Sequence, residues 1–508
     1  MNAPALAQTR NARALDRGSV PRLGVEDFRH AILEAVARRR RVAALFGIPA
    51  PGGGVELVVV LSDDAQGLLH VATTLLGGNG YPSLTPECPQ VHLFEREIAE
   101  QWGVVPHGHP WLKPVRFVRS QRRGQDAWNR RDDQAIEVGV MDFYRVEGEE
   151  VHEVAVGPVH AGVIEPGHFR FQCHGEQTFH LEISLGYQHR GVERALVGGP
   201  NKRTIHYIET LAGDTTVGHT TAYCHLVEGL QRNKVPARAH VLRGIALELE
   251  RLANHTGGLG ALASDVAFLP AASFCGRLRG DFLNLTAALC GSRFGRGLIR
   301  PGGVGFDVGG ELPSRMTERI EAAVRDVQES VDLLWERASV QARFEGTGAV
   351  STDDAEALGL VGVAARACGL ERDVRHDHPA GVFRLAHIPV SVWQTGDVFA
   401  RAYVRWLEIQ RSAAFVQDEL EQMPSGPPKV PVEDLTPNCI CVSLVEGWRG
   451  EICHVGLTDS SGRFAAYKVV DPSFHNWNGL AMALRGQQIS DFPLCNKSFD
   501  LSYCGFDL

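Results

Sequence analysis

Hydrophobic and polar positions divide the chain into a mixed first part, a mostly helical middle part and a strand-rich end. In residues 25–40, apolar side chains recur every three or four positions, which predicts an amphipathic helix. The apolar runs VELVVVL (55–61) and LLHVATTLL (68–76) predict strands. A second helical pattern covers residues 90–104. Residues 25–120 are therefore predicted to form a small, sandwich-like α/β domain.

The rest of the chain is predicted to form a larger, mainly helical domain at 141–508. Its first residues alternate like strands, whereas residues 190–425 carry long amphipathic runs, of which 315–338 is the clearest. A proline-rich break at 425–438 precedes short strands and turns. The predicted fold class is α+β, with antiparallel strands at the periphery of the helical domain.

Two segments are expected to lie outside these domains. The charged residues 121–140 indicate a linker, and residues 1–24 carry four arginines without the apolar core of a secretory signal, so we expect a disordered tail there. No apolar run approaches the roughly 20 residues that span a bilayer. Membrane contact is therefore expected to go through partner subunits.

Net charge and cysteine spacing reduce the number of functions that the chain is expected to have. A formal net charge of −9 argues against a nucleic-acid binder. The chain has 11 cysteines but no C-x-x-C pair, which argues against a metal centre built from clustered thiolates and favours a reducing compartment. Cys439 and Cys441 are close, but in a strand pattern they are predicted to be a buried apolar pair.

Seven motifs together carry a family resemblance. YPSLTPECPQVHLFEREIAEQWGV (81–104), with GHP at 108–110, resembles the 30-kDa subunit of respiratory complex I. Six further stretches resemble the 49-kDa subunit of complex I and the large subunit of nickel–iron hydrogenases: 157–171, 186–196, 248–255, 445–451, 469–486 and 491–508. A fusion of the two subunits in one chain is similar to the large subunits of hydrogenase-4 and formate hydrogenlyase.

This resemblance implies a nickel–iron pair held by four thiolates, and the chain departs from that pattern. Ungapped matching places Ala212 and Thr215 at the first thiolate pair, and Ser502 and Gly505 at the second, with Cys504 one position off. Hydroxyl groups do not replace soft bridging thiolates. We therefore expect no metal ligands in this chain and no hydrogenase activity.

In complex I, the same cavity binds a quinone headgroup through a His, a supporting Asp and a Tyr. Here the resemblance offers His160 or His168 for the headgroup and Asp265 as the supporting carboxylate, while Gly213 stands at the Tyr position. Glu165 matches a proton-relaying Glu of hydrogenases. A carboxylate between two imidazoles is able to pass protons near neutral pH. The alternative is a turn whose His side chains cap strand carbonyls.

The resemblance also implies that His189 and Arg190 approach an iron–sulfur cluster of a partner subunit, where a fixed cation raises the reduction potential. The alternative is an ion pair of Arg190 with Glu193. Asp214 and Thr215 are candidates for a polar pocket in the vacated cavity, or for N-capping the next helix.

A charged row follows on a predicted helix. Glu248, Arg251 and His255 share one helical face, which indicates either a buried proton path or a solvated stripe.

Together, these features imply a subunit of a membrane-associated, energy-converting oxidoreductase complex. The chain itself is expected to bind no cofactor except, at its cavity, a quinone; a small iron–sulfur subunit and integral-membrane ion-translocating subunits are the expected partners. Its expected location is the cytoplasmic, inner face of the plasma membrane. No G-x-G-x-x-G motif opens a helix after a strand, so NADH chemistry would belong to other subunits. A non-catalytic docking and coupling subunit is the main alternative, and an active nickel–iron hydrogenase a third.

Overall fold

The computed structural model describes residues 6–162 and 164–508. It has the predicted α+β fold class, with a sheet-based first part and a mainly helical second part. The first part contains β1 (Ala7–Thr9), β2 (Leu15–Asp16), β3 (Arg22–Leu23), α1 (Val25–Ala37), β4 (Arg41–Pro49), β5 (Val55–Asp63), β6 (Leu68–Leu76), β7 (Gly80–Pro82), α2 (His92–Trp102) and β8 (Val105–His107).

One mainly antiparallel sheet forms the core of the first domain, in the order β1-β6-β5-β4, with β3 pairing parallel to β6. Strand β5 is buried at every position, which explains why its apolar run does not alternate. Helix α2 packs closely on β4. A Cβ at Gly47 would lie 2.6 Å from the Trp102 indole, so glycine permits this approach.

The expectation of a disordered N-terminal tail is wrong for residues 6–24. Strand β1 pairs with β6, and β2 pairs with a strand near the C-terminus through Asp16 and Cys439. Asn11 is buried and donates to the main-chain oxygen of Leu444 at 2.9 Å. Main-chain pairing and one buried amide order this segment although its sequence has no hydrophobic periodicity. Residues 1–5 lie outside the described residues.

Residues 121–140 contain turns and no helix or strand. The second domain follows them. Its elements are β9 (Val151–Val156), β10 (His168–His174), β11 (Gln177–Ser184), α3 (Val192–Leu196), α4 (Thr204–Ile208), α5 (Thr216–Gln231), α6 (Ala237–Asp265), α7 (Leu269–Cys290), β12 (Ile299–Arg300), β13 (Gly303–Val304), α8 (Leu312–Trp335), α9 (Ala338–Phe344), α10 (Thr352–Ala357), α11 (Gly362–Arg366), α12 (Val374–Asp377), α13 (Val398–Glu421), β14 (Cys439–Gly447), β15 (Gly450–Thr458), β16 (Phe464–Val470), α14 (Pro472–Ala483), α15 (Phe492–Phe499) and α16 (Tyr503–Asp507).

Helix α6 is the centre of the second domain and packs against α7 and α13. Helix α5 lies on β14 and β15 of a sheet ordered β16-β15-β14-β2. Helix α8 confirms the amphipathic pattern at 315–338, and Cys439 and Cys441 are both buried in β14, as predicted. None of the helices in the described chain has both the length and the apolar character needed to cross a bilayer.

Buried ion pairs join the two domains. Arg41 of β4 binds Glu451 of β15 at 2.7 Å, and Glu97 of α2 binds Lys468 of β16 at 2.6 Å. Glu97 also pairs with Arg116, which donates to the main-chain oxygen of Phe506 at 2.9 Å. Glu97 and Arg116 therefore fasten the first domain to β16 and to the last residues of the second.

Candidate functional site

Three segments distant in the sequence meet around the thiol of Cys504. The Ser502 hydroxyl lies 3.4 Å from the Cys504 sulfur, and the Glu165 carboxylate and the main chain of Gly213 lie close enough to this thiol to influence its pKa. Burial, followed by the charge of Glu165, raises the pKa of the Cys504 thiol to about 11. These four residues (Glu165, Gly213, Ser502 and Cys504) are called the Cys504 site below.

Local hydrogen bonds explain how the C-terminal segment reaches this place. Ser502 begins α16 and its hydroxyl accepts from the main-chain amide of Gly505 at 2.9 Å, the usual role of a helix N-cap. The Asp507 carboxylate accepts from the amides of Gly186 and Gln188 at 2.7 and 3.0 Å. The Gln188 side chain in turn donates to Glu165 at 3.0 Å. The carboxylate of Glu165 is therefore held in position.

The two histidines of the 157–171 stretch make mainly local contacts. The Nε2 atom of His160 lies 2.9 Å from the main-chain oxygen of Gly167, and Nδ1 of His168 lies 3.0 Å from that of Gly157. The Nε2 atom of His168 also accepts from Arg170 at 3.4 Å. These contacts match the alternative of capped strand carbonyls, and they occupy both ring nitrogens of His168.

Asp265 does not support either histidine. It ends α6, and its Oδ1 atom accepts from the Lys497 ammonium group of α15 at 2.6 Å. The family resemblance implied that Asp265 supports a histidine, but its position at the end of α6 places it in a separate ion pair with Lys497.

Asp214 lies beside the Cys504 site and forms a two-pronged ion pair with Arg449. The Asp214 oxygens accept from the two terminal nitrogens of Arg449 at 2.6 and 2.8 Å. Burial alone would raise the pKa of Asp214, but the Arg449 charge and hydrogen bonds hold it below its ordinary value. Thr215 completes the contact, since its hydroxyl accepts from Arg449 at 3.1 Å. Asp214 and Thr215 thus share Arg449 as a partner, which the sequence prediction lacked.

Helix α5 is not capped by the Thr215 side chain. Its first amides, Val217 and Gly218, instead donate to the Glu250 carboxylate of α6 at 2.7 and 3.1 Å. Burial is the largest influence on Glu250, and it raises the pKa of this carboxyl to about 8 despite the two amide donors. Glu250 is therefore protonated at neutral pH and is able to exchange a proton close to Asp214.

A row of buried polar side chains begins at Asp471, whose carboxyl group lies next to Gly505. His219 lies 3.0 Å from Asp471 and 3.1 Å from His454, and the other ring nitrogen of His454 lies 2.8 Å from the Tyr467 hydroxyl. One tautomer assignment satisfies the whole row: Tyr467 donates to His454, His454 to His219, and His219 to Asp471. This row (Asp471, His219, His454 and Tyr467) is called the buried histidine chain.

The buried histidine chain adjoins the Cys504 site. A Cβ at Gly505 would lie 2.6 Å from the carboxyl carbon of Asp471, so any larger residue, cysteine included, requires Asp471 to move. Burial, followed by His219, keeps the pKa of His454 well below its ordinary value. The imidazole of His454 is therefore neutral, and the row is able to shift a proton by exchanging tautomers.

Arg190 is exposed and donates to three main-chain oxygens, those of Thr210 (2.5 Å), Leu211 (2.9 Å) and Cys504 (3.2 Å). Glu193 instead pairs with Lys468, so the alternative of an Arg190–Glu193 ion pair is wrong. His189 lies next to it, with Nδ1 at 2.5 Å from the main-chain oxygen of Asp507. Both predicted docking residues thus hold the backbone of the Cys504 site.

The charged row on α6 is buried, which decides against a solvated stripe. Glu248, Arg251 and His255 are each 0% exposed. Arg251 binds Glu248 at 2.9 Å, and His255 contacts Glu408 of α13 at 2.7 Å. Burial raises the pKa of Glu446 to about 7. In the same network, the Glu446 carboxylate accepts a hydrogen bond from Arg366 at 2.8 Å. The row is a connected set of charges inside the helical domain.

The donor set at the Cys504 site does not fit a thiolate-bound metal pair. Positions 212 and 215 carry a methyl and a hydroxyl group, 505 has no side chain, and Cys504 supplies one thiol. In the ranges 6–162 and 164–508, no three His, Cys, Asp or Glu side chains are arranged to hold a metal ion.

Glu250, Arg449 and the buried histidine chain were absent from the sequence prediction. Arg449 lies in the VEGWRGE stretch (445–451). This stretch contributed to the family resemblance, but the resemblance gave Arg449 no role. Glu250 stands two positions from Glu248 on one helix, and only the packing of α5 shows that it caps that helix.

Two family models match the chain. The model of the respiratory-chain NADH dehydrogenase 30-kDa subunit matches residues 27–125, and that of the 49-kDa subunit matches residues 265–439. The carbon monoxide-induced hydrogenase of Rhodospirillum rubrum is 30% identical over 352 residues, which cover 69% of this chain and 97% of the relative.

Two further relatives are a formate hydrogenlyase subunit and an NADH-quinone oxidoreductase subunit. Formate hydrogenlyase subunit 5 of Escherichia coli (strain K12) is 28% identical over 435 residues, covering 83% of this chain and 76% of the relative. NADH-quinone oxidoreductase subunit 4 of Thermus thermophilus is 28% identical over 378 residues, covering 69% and 92%. The chain therefore belongs to the family of the 49-kDa subunit of respiratory-chain NADH dehydrogenase and its hydrogenase relatives, and a domain of the 30-kDa type is fused in front.

Proposed function

We propose that this chain is a subunit of a membrane-associated, energy-converting oxidoreductase complex, in which an acceptor is reduced beside Cys504 without a nickel–iron centre. The observation that carries the proposal is the convergence of Glu165, Gly213 and Ser502 on one thiol, at the place where the family holds its metals. The close approach of Asp471 to Gly505 supports the absence of a fourth thiolate.

The acceptor class proposed is a quinone, which takes up protons as well as electrons when it is reduced. The backbone at Gly213 is open to an approaching ligand, because a Cβ at this position would meet no atom within 4 Å. Glu165 is placed to hand a proton to a group at the thiol, since Gln188 fixes its carboxylate there. The buried histidine chain ends on Asp471 beneath the same site and would replace protons that leave it.

Electrons would come from an iron–sulfur cluster in a small partner protein that docks near Arg190. This guanidinium is exposed and, in the described structure, has no carboxylate partner, so it supplies positive charge to a neighbouring cluster. Integral-membrane, ion-translocating subunits would complete the complex at the inner face of the plasma membrane. The buried charges of α6 would link the site to them.

One observation favours a second candidate, a docking and coupling subunit without redox chemistry. His168 has both ring nitrogens engaged and the family's Tyr is replaced by Gly213, so headgroup ligands of the complex I type are incomplete. In that role, the buried histidine chain and the charged row of α6 would still couple protonation to conformational change.

Purification of the whole complex through a tag on this chain tests the proposal. We expect iron without nickel, and reduction of a short-chain quinone by reduced methyl viologen. Glu165→Gln should slow this reaction at least about tenfold, while the exposed Glu149→Gln leaves it unchanged. An iron-containing complex that never reduces quinone supports the docking role. Nickel together with hydrogen evolution contradicts both.

A further inference from the structure

A second cavity, of about 650 Å³, opens between the end of α5, the start of α6 and residues 380–385. None of its lining residues belongs to the Cys504 site or to the buried histidine chain. Its rim carries four cationic side chains, all exposed: Arg13, Arg232, Lys234 and Arg384.

The positive charge of this cavity is not balanced by its lining. Among the described residues that line it, Glu228 is the single acidic side chain. Its carboxylate is already bound by Arg243 at 2.6 and 2.9 Å and by the amide of Gly302 at 2.8 Å. Burial, followed by Arg13 and Arg10, lowers the pKa of Arg384, as expected where cations crowd together without anions.

Two histidines form the inner wall. His225 is 8% exposed, and the Nδ1 atoms of His225 and His240 are buried without a hydrogen-bond partner in the described structure. Gly381, which has a positive φ of 58°, brings its backbone against both rings. Burial and Arg243 lower the pKa of His225 well below its ordinary value and that of His240 to about 4. A buried polar atom without a hydrogen-bond partner costs stability unless a ligand satisfies it, and one tautomer of each ring presents its Nδ1 as an N–H donor.

The start of α6 adds a further set of donors. Pro236 precedes the helix and its side chain cannot cap it. The first helical hydrogen bond runs from the amide of His240 to the main-chain oxygen of Pro236. The amides of the first turn are therefore without helical partners and carry the positive end of the helix dipole. This end lies beside Val235 and His240 of the cavity wall.

We propose that this cavity binds a phosphate-bearing anion. Arginine and lysine head groups, imidazole N–H groups and a free helix N-terminus are the donors that recognise phosphate oxygens. Two sources share this chemistry: a small soluble phosphate compound, and the phosphodiester of an anionic lipid. The site does not depend on the redox function proposed above, because no residue is shared.

Calorimetry and vesicle flotation of the full-length chain test this site. The probes are pyrophosphate at constant ionic strength, and phosphatidylcholine vesicles with and without phosphatidylglycerol. We expect binding to one of them, weakened at least about tenfold in the double variant Lys234→Gln/Arg384→Gln. Pyrophosphate binding alone assigns a soluble ligand, whereas binding only to phosphatidylglycerol vesicles assigns a lipid.

The matched control removes two positive charges from a different part of the surface. Arg319→Gln/Arg325→Gln alters two exposed cations of α8 and should bind the probe as the wild type does. The proposal is overturned if neither probe binds, or if both double variants lose affinity equally, which would show a general effect of net charge. All four substituted side chains are exposed, so far-UV circular dichroism should report unchanged folding.

Discussion

Arg449 binds both carboxylate oxygens of Asp214, at 2.6 and 2.8 Å, and so ties the turn between β14 and β15 to the residues that precede α5. We predict that Arg449→Gln lowers the free energy of unfolding by roughly 2 kcal/mol, because it leaves a half-buried carboxylate without its charged donor. Arg449→Lys should fall between this variant and the wild type, since an ammonium group lacks the two-pronged geometry. Urea unfolding measures both. A double-mutant cycle with Asp214→Asn that shows simple additivity would contradict the pairing.

Alkylation rates should reveal the contact between Glu165 and Cys504. The other ten cysteines are buried, so slow modification of the native chain by iodoacetamide should fall on Cys504. Because the Glu165 charge helps to raise the pKa of this thiol, Glu165→Gln should lower that pKa and speed alkylation severalfold at pH 9. Peptide mass spectrometry reads the site. A rate that rises equally in Glu149→Gln would refute the contact.

The stability of the chain should depend on the proton held by Glu250. This group has a pKa of about 8 in the folded chain, above the 4.5 of an ordinary Glu, so the folded state holds an extra proton between these values. The stabilisation is full below about pH 4.5 and is lost as the pH rises towards 8, by about 1.4 kcal/mol per pH unit for one proton. Glu250→Gln should flatten this part of the curve of unfolding free energy against pH. Parallel curves for variant and wild type would be the contrary result.

Glu97 should be costly to neutralise. It is 1% exposed and balances Lys468 and Arg116, whose charges hold its pKa below the usual value in spite of burial. Glu97→Gln leaves two buried cations uncompensated, which should remove roughly 3–5 kcal/mol from the free energy of unfolding at pH 7. The difference from wild type should shrink as the pH falls through the titration of carboxylates. Glu149→Gln, on the surface, serves as the control.

On the docking proposed above, Arg190 should tune the cluster of the iron–sulfur partner. In the purified complex, Arg190→Gln is expected to lower the reduction potential of the nearest iron–sulfur cluster by tens of millivolts, because a positive charge that favours the reduced form is removed. Arg190→Lys keeps the charge and should restore most of the potential. Redox titration followed by electron paramagnetic resonance measures the shift. Equal potentials in all three proteins would place the cluster away from Arg190.

Periodicity in the sequence was enough to locate the long elements, such as α8 and β5, because their burial repeats over many residues. It missed β1 to β3, since strands of two or three residues carry no repeating pattern and take their order from distant partners. Residue roles were harder still. Asp265 and Glu250 lie on the same helix, and the sequence gives no sign that their roles differ. Tertiary packing alone brings Asp265 to Lys497 and Glu250 to the first turn of α5.

The pairing of Leu15 and Asp16 with β14 has a consequence for synthesis on the ribosome. Their partners Cys439 and Ile440 emerge more than 400 positions after them. Because chains grow at about 5–20 residues per second, the N-terminal segment waits roughly 20 to 85 seconds for its strand. Chaperone binding to the nascent chain should therefore persist until the last sheet is made, and an N-terminal fusion partner would interfere with the final step of assembly.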